Sequence, residues 1–395
     1  MMTRRFLIIL LASTLLIPSF ACAEPMFEKT TLFKRPTSKD HYRSPALTVL
    51  PNGRIIAKGT LKVGHMRDAG GKDINYYKYS DDNGKTWHET KSLRPATVVD
   101  DINKRMFRFV RKWPMKDSSG KPTTEHWMIE HPQEGFKLGG GLKVFSSTDG
   151  ENWGKGIDIA DSMFLYKTGG LAWFIGDGIQ LTRGPHAGRL VIPGRYFGKQ
   201  WERVGPNAHN TVAYSDDFGK TWLWGGSSQG YSGEACIVEL SDGAVYMSNR
   251  NHHPRTAGYR TWAISRDGGE TFTEFGVEKD LKEPKCHAAM IRYNFPDKEK
   301  GIKGRVLFIN PSVYMEPSSG IAPHAGRKNM TVHMSLNDCK SWPISKQLHA
   351  GKSGYSDIAV APDGTILCVF ESGEDIYAEN ITLVRFNMEW LESKK

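Results

Sequence analysis

Apolar residues along this chain come in short runs, and turn residues divide them. Residues 46–50 are followed by Pro51-Asn52-Gly53 and then by Ile55-Ile56-Ala57. The run 237–240 passes through Ser241-Asp242-Gly243 to residues 244–247, and 358–361 passes through Pro362-Asp363-Gly364 to 366–369. An Asn-Gly or Asp-Gly step between two apolar runs is a strong hairpin signal, because the tight turn needs a positive φ that glycine tolerates. We read these three segments as inner hairpins of sheets. No long apolar stripe of period 3.6 stands out, so helices should be few and short.

A second turn type repeats more often. Ser80-Asp81-Asp82-Asn83-Gly84-Lys85-Thr86-Trp87 recurs as Ser215-Asp216-Asp217-Phe218-Gly219-Lys220-Thr221-Trp222 and as Ser265-Arg266-Asp267-Gly268-Gly269-Glu270-Thr271-Phe272. Ser147-Thr148-Asp149-Gly150-Glu151-Asn152-Trp153 is one residue shorter, and Ser335-Leu336-Asn337-Asp338-Cys339-Lys340-Ser341-Trp342 is degenerate. The pattern S-x-D-x-G-x-T-W predicts a hairpin turn whose Asp bonds the backbone and whose aromatic anchors it to the core. The five copies start 67, 68, 50 and 70 residues apart, which suits one sheet per copy. Such spacing predicts an all-β fold, a six-bladed β-propeller of roughly 40–70 residues per blade.

Composition narrows the class. The chain has 395 residues, 39% of them hydrophobic, with 41 glycines and 43 aromatics. That excludes wholesale disorder and favours many short strands. Arg4 and Arg5 precede an apolar run over 6–16 and the small-residue end Ala21-Cys22-Ala23. This reads as a signal peptide over 1–23, too short to span a bilayer. Residues 24–395 would then be a single catalytic propeller domain, exported to the periplasm or secreted, without stable membrane insertion after cleavage. Loss of Arg4 and Arg5 lowers the net charge from +10 to +8. A mildly basic surface steers acidic partners such as acidic glycans. No Lys/Arg tract points to nucleic acid. Cys236, Cys286, Cys339 and Cys368 lack CxxC spacing, so no zinc site is expected; a disulfide is open to an exported chain, though this size does not need one.

Hairpin arithmetic gathers polar residues on one rim. Arg43, Glu234 and Tyr355 each lie three residues before an inner strand, opposite its turn. Arg250 and Glu371 each lie seven residues past the turn glycine, where the paired strand returns to the same end. Asp68 follows the second strand of the first sheet, and Arg327 precedes the strand that descends to the Ser335 turn. The S-x-D-x-G-x-T-W turns close the other end and read as structural.

In these residues the chain resembles the bacterial exo-α-sialidases (neuraminidases), glycoside hydrolases with Asp-box repeats. The resemblance covers essentially the whole mature chain. Tyr42-Arg43-Ser44-Pro45 is similar to the family's R-I-P opening, and the steps of 16 residues from Glu234 to Arg250, 28 from Arg327 to Tyr355 and 16 from Tyr355 to Glu371 match its spacing. The resemblance implies that Arg43, Arg250 and Arg327 clamp the sialic acid carboxylate, with Glu371 orienting Arg43. It further implies Tyr355 as nucleophile, Glu234 as its base, Asp68 as acid and then base, and retention of configuration. No cofactor and no metal are implied. Where the family usually carries a further Arg beside the sugar O4, this chain has Val63, and Lys62, His65 or Arg67 could substitute. The sequence assigns no residues to an N-acetyl pocket, for which the region 106–127 is the place to look. The expected substrates are sialylated glycans. Two alternatives stand beside this: the same mechanism on another 2-keto-3-deoxy sugar acid, and a non-catalytic propeller that binds acidic glycans.

Overall fold

The computed structural model describes residues 23–66, 71–111, 115–116, 122–123, 142–160, 162–165, 170–171, 173–196, 205–315 and 326–394. The fold is an all-β propeller, and every pairing between its strands is antiparallel. The first sheet runs outward from His41–Val49 through Ile55–Val63 and Lys72–Ser80 to His88–Thr90. The second runs from Val98–Asp100 through Arg105–Arg111 and Leu142–Ser147 to Ile157–Asp158. Ile179–Gln180 starts the third, followed by Leu190–Tyr196, His209–Ser215 and Leu223–Ser227, and Trp173–Phe174 also pairs with Leu190–Tyr196. Ser232–Glu239, Val245–Asn251, Tyr259–Ser265 and Glu274–Lys282 form the fourth.

Beside two two-stranded ribbons, Met115–Lys116 with Pro122–Thr123 and Phe164–Leu165 with Gly170–Leu171, the largest sheet has seven strands, and its 17-residue strand Ile344–Val360 belongs to two runs. Its first half pairs with Lys328–Ser335, at the outer edge of a run that begins at Ala289–Asn294 and Arg305–Pro311. Its second half pairs with Ile366–Gly373 and leads outward through Asn380–Phe386 to the N-terminal strand Phe27–Lys34. The two runs pack face to face: Leu307, Ile309, Val332 and Met334 meet Ile358, Ile366, Phe370 and Phe386 in one core. Five more apolar clusters join neighbouring sheets, and the last of them joins Leu47, Ile55 and Ala57 to Leu367, Val369 and Leu383. The ring of cores is therefore closed.

The repeated turns join the third and fourth strands of their sheets, at the end opposite the rim. In each, the Ser hydroxyl oxygen accepts an amide four or three residues on: Gly84 at 2.8 Å, Gly150 at 2.9 Å, Gly219 at 2.8 Å, Gly269 at 2.7 Å and Cys339 at 3.0 Å. Asp82 accepts both the amide and the hydroxyl of Thr86, and the indole of Trp87 donates to the Gly84 carbonyl. Cys339 takes the glycine position with φ 63°, a conformation costly for a side chain. The last run has no such turn for a topological reason. Its outer strand comes from the N-terminus, so no chain connects it to its neighbour.

Helices are short among the described residues, a 3₁₀ turn at Gly184–His186 and an α-helix at Met388–Glu392. None is long and apolar enough to cross a membrane. Residues 298–300 are exposed surface charges. Of the expected signal peptide over 1–23, residues 1–22 lie outside the described residues.

The turn aromatics should be structural. Trp222 is 1% exposed and meets the ring edge-on contacts of Phe107 and Phe109. Trp222→Ala should lose about 3–5 kcal/mol of unfolding free energy in a denaturant titration. The kinetics of the folded protein should stay unchanged, since the turn faces away from the rim; normal stability with lost activity would contradict this.

Candidate active site

Three inner strands break register at the residues that build the site. The ladder of His41–Val49 slips between Arg43 and Ala46, that of Ser232–Glu239 between Ser232 and Ala235, and that of Ile344–Val360 between Ser353 and Ser356. A bulge adds a residue and re-aims the side chain beside it. Arg43, Glu234 and Tyr355 sit at these bulges. Glycine precedes two of them: a Cβ on Gly354 would lie 2.2 Å from Glu371 Oε2, and one on Gly233 2.9 Å from Arg250 Cδ.

The rim residues converge. Tyr355 Oη donates to Glu234 Oε1 at 2.5 Å, and Arg250 Nη1 donates to Glu234 Oε2 at 2.5 Å and to Tyr355 Oη at 3.1 Å. Glu371 is wholly buried. Its Oε1 accepts Arg43 Nε and the Ser44 amide, both at 2.9 Å, and its Oε2 accepts the Tyr355 amide at 3.0 Å. One carboxylate thus fixes a guanidinium of the first sheet and the backbone of Tyr355 in the last. Arg327 Nη2 donates to the Lys285 carbonyl at 2.7 Å, while its buried Nε and Nη1 have no hydrogen-bond partner among the described residues. The guanidinium carbons of Arg43 and Arg327 lie 5.3 Å and 5.5 Å from the Tyr355 ring centre.

Burial and charge set the protonation states. Burial works to raise the pKa of Glu234, but Arg250, His287 and the Tyr355 hydroxyl hold it well below the usual carboxylate range. Burial and the charge of Glu234 push Tyr355 up, against Arg250 and Arg327. Burial opposes the charge of Arg43, yet Glu371 raises its pKa. Three guanidinium groups against two carboxylates leave one net positive charge in this set. That excess suits a single anionic group.

Arg67 and Asp68 lie outside the described residues. Lys62 is buried and donates to Asp73 Oδ2 at 2.7 Å, and His65 Nε2 lies 3.4 Å from Asp73 Oδ1. Met106, at the start of the region 106–127, is core, packed with Leu50, Ile56 and Leu93 near the turn end. It opens the strand Arg105–Arg111 at the end opposite the rim, because that strand climbs from the turn. Trp127 lies outside the described residues. The four cysteines are buried and free. Among the described residues no group of three or more His, Cys, Asp or Glu could hold a metal.

Sequence reasoning missed His287 and Tyr377. His287 packs on the Tyr355 ring at 5.3 Å, and burial pushes its pKa down to about 4. It stands two residues before the inner strand Ala289–Asn294, but no Asp-Gly turn follows that strand to flag it. Tyr377 lies in a loop, where no periodicity marks it; its ring centre is 5.5 Å from the guanidinium of Arg43 and 5.4 Å from that of Arg327.

A carboxyl pair lies behind the site. Asp357 stands two residues beyond Tyr355; its Oδ2 accepts the Leu47 amide at 2.7 Å and its Oδ1 the Ile358 amide at 2.8 Å. Its other neighbour is the Asp177 carboxyl, in hydrogen-bond contact. Asp177 lines a channel cavity of about 530 Å³, with residues from Leu47, Val98, Ile179, Val238, Met290 and Ile358 around it. Two carboxyls in contact need a shared proton. Desolvation raises both pKa values, Asp357 to about 6 against the hydrogen bonds it accepts, and the charge and hydrogen bond of Asp357 keep Asp177 well above the usual range. Raised carboxyl pKa values stabilise the fold at low pH, and that stability is lost as pH rises from 3.8 through about 6 and above. Asp177→Asn, whose amide donates at every pH, should flatten the fall of melting temperature over this window. An unchanged slope in the variant would show that the pair does not carry the effect.

A family model described as BNR repeat-like domain matches residues 95–368, and one described as BNR/Asp-box repeat matches 78–89. The sialidase of Micromonospora viridifaciens is 32% identical over 371 residues, covering 89% of this chain. The chain spans only 52% of that relative's length. The exo-alpha-sialidase of Aspergillus fumigatus is 26% identical, with 89% of this chain and 84% of that protein covered. Among solved structures, a leech intramolecular trans-sialidase shares the fold with a TM-score of 0.69 at 18% identity, covering 92% of this chain and 71% of its own.

Proposed function

The chain belongs to the Asp-box (BNR repeat-like) sialidase family of glycoside hydrolases, and we propose that it is an exported, retaining exo-α-sialidase that cleaves terminal sialic acid from glycans. We count its seven-stranded sheet as two blades, which makes the propeller six-bladed around the rim site. The observation that carries the reading is the 2.5 Å bond from Tyr355 Oη to Glu234 Oε1, set among three arginines.

The proposed chemistry follows from these contacts. The substrate carboxylate docks on Arg43, Arg250 and Arg327, whose guanidinium edges match it. In the free site Arg250 is engaged by Glu234. An arriving carboxylate shares that guanidinium, loosens its hold on Glu234, and makes Glu234 more basic. Glu234 then takes the Tyr355 proton as the phenol oxygen attacks the anomeric carbon. A phenol starts neutral, so it avoids the repulsion a carboxylate nucleophile would meet beside the substrate's own carboxylate. Asp68 protonates the leaving oxygen, then draws a proton from the water that displaces the tyrosine, whose oxygen takes its own proton back from Glu234. Two displacements give retention.

Tyr355→Phe keeps the ring and removes the nucleophile, so folding and substrate binding should survive while kcat falls about a thousandfold or more. A fluorinated sialic acid with a good leaving group should label wild-type Tyr355 and leave the variant unlabelled; a label elsewhere would reassign the nucleophile. Arg327→Ala should raise KM about tenfold or more on a fluorogenic sialoside, by leaving substrate charge unpaired. The clamp recognises a carboxylate whatever sugar bears it, so a panel of 2-keto-3-deoxy sugar acids decides between sialic acid and its relatives. No turnover of any panel member would favour a binding-only propeller.

A further inference from the structure

Arg327 is 2% exposed, and among the described residues no carboxylate forms an ion pair with it. A guanidinium buried without a counter-ion is costly. Among the described residues its guanidinium donates to the Lys285 carbonyl alone. Two aromatic rings face it, Tyr355 at 5.5 Å and Tyr377 at 5.4 Å. Arg43 lies against the same two rings, at 5.3 Å and 5.5 Å. Two like charges are thus held together by two shared π-faces, and the negative face of an aromatic ring attracts a guanidinium.

The two rings are not equivalent. Tyr355 reacts in the proposed chemistry, so its electron density changes during turnover. Tyr377 is 4% exposed, lies between strands Ile366–Gly373 and Asn380–Phe386, and packs so tightly on Gly354 that a Cβ there would lie 2.5 Å from its Cδ2. Burial and Glu371 raise its pKa against both arginines, so its ring stays that of a neutral phenol. It is the constant support.

We propose that Tyr377 is a positioning residue whose ring holds Arg43 and Arg327 side by side, so that both offer N–H edges to one substrate carboxylate. The proposal rests on reading the site as a carboxylate clamp. It assigns to the last sheet a third contribution to binding, beside Tyr355 and Glu371.

A shape-conserving series tests it. The full chain is made with Phe, difluoro-Phe and tetrafluoro-Phe at position 377, since fluorination drains the π-face while hardly changing volume. KM for a fluorogenic sialoside should stay within about threefold of wild type for Phe and climb stepwise to about 10–30-fold for tetrafluoro-Phe, the span of one or two desolvated cation–π contacts. kcat should stay within about threefold, because the ring touches no reacting atom. The preference for binding free sialic acid over its methyl ester should shrink by the same factor as KM rises. Tyr377→Leu should match or exceed the most fluorinated variant. A flat KM across the fluorinated series, a loss confined to kcat, or a Phe variant as impaired as the Leu variant would overturn the role of Tyr377 while leaving the clamp standing. No cleavage by the wild type would instead overturn the sialic acid reading. The Arg327 Nε–H signal in nitrogen-proton spectra of the substrate-free protein then still decides: broadening along the series supports the positioning, and an unchanged signal overturns it.

Discussion

The antiparallel pairing of Phe27–Lys34 with Asn380–Phe386 is the constraint on which the rest depends. It completes the last sheet with the first strand of the chain and so covers an edge that would otherwise be exposed. Once the ring is shut, the core between Leu47, Ile55 and Ala57 and Leu367, Val369 and Leu383 can form. Inner strands from every sheet are then fixed around one axis, and their starts share one rim. Arg43 and Glu371 belong to the two sheets that this closure brings together, and their 2.9 Å ion pair is buried at the seam.

Within the rim, the energetics are those of charges removed from water. Each buried ion must find a partner or be costly. Glu371 meets this by accepting three hydrogen bonds, and Glu234 by an arginine and a tyrosine hydroxyl. Arg327 meets it only in part, with a carbonyl and two ring faces. Among the described residues this incomplete compensation leaves a cationic seat that suits an external anion. The carboxyl pair Asp177–Asp357 obeys the same rule by keeping a proton, and it ties the strand of Tyr355 to the backbone of Leu47 beneath the rim.

Local irregularity supplies the aim. Ser44 has φ 55°, Tyr231 has φ 61° and Lys285 has φ 52°, and each lies within four residues of a rim residue or bonds one through its carbonyl. Strain of this kind persists only where surrounding structure over-determines it. Glu371 bonding the Ser44 amide is one such restraint.

Three inner hairpins, five outer turns and most of the rim were legible in the sequence. A turn requires particular residues at fixed offsets, so Asp-Gly and S-x-D-x-G-x-T-W betrayed the hairpins, and counting from Gly243 and Gly364 put Arg250 and Glu371 beside Glu234 and Tyr355. Those are local constraints, written within about twenty residues. Only the tertiary structure decided what crosses between sheets: the seat of Tyr355 on His287, the contact of Tyr377 with two arginines, the Asp177–Asp357 pair, and the place of Met106 in the core rather than at the rim. Asp177 and Asp357 are 180 residues apart in the chain. Contacts of that range leave no periodic trace, because they are set by ring closure and side-chain packing, which no short window of sequence encodes.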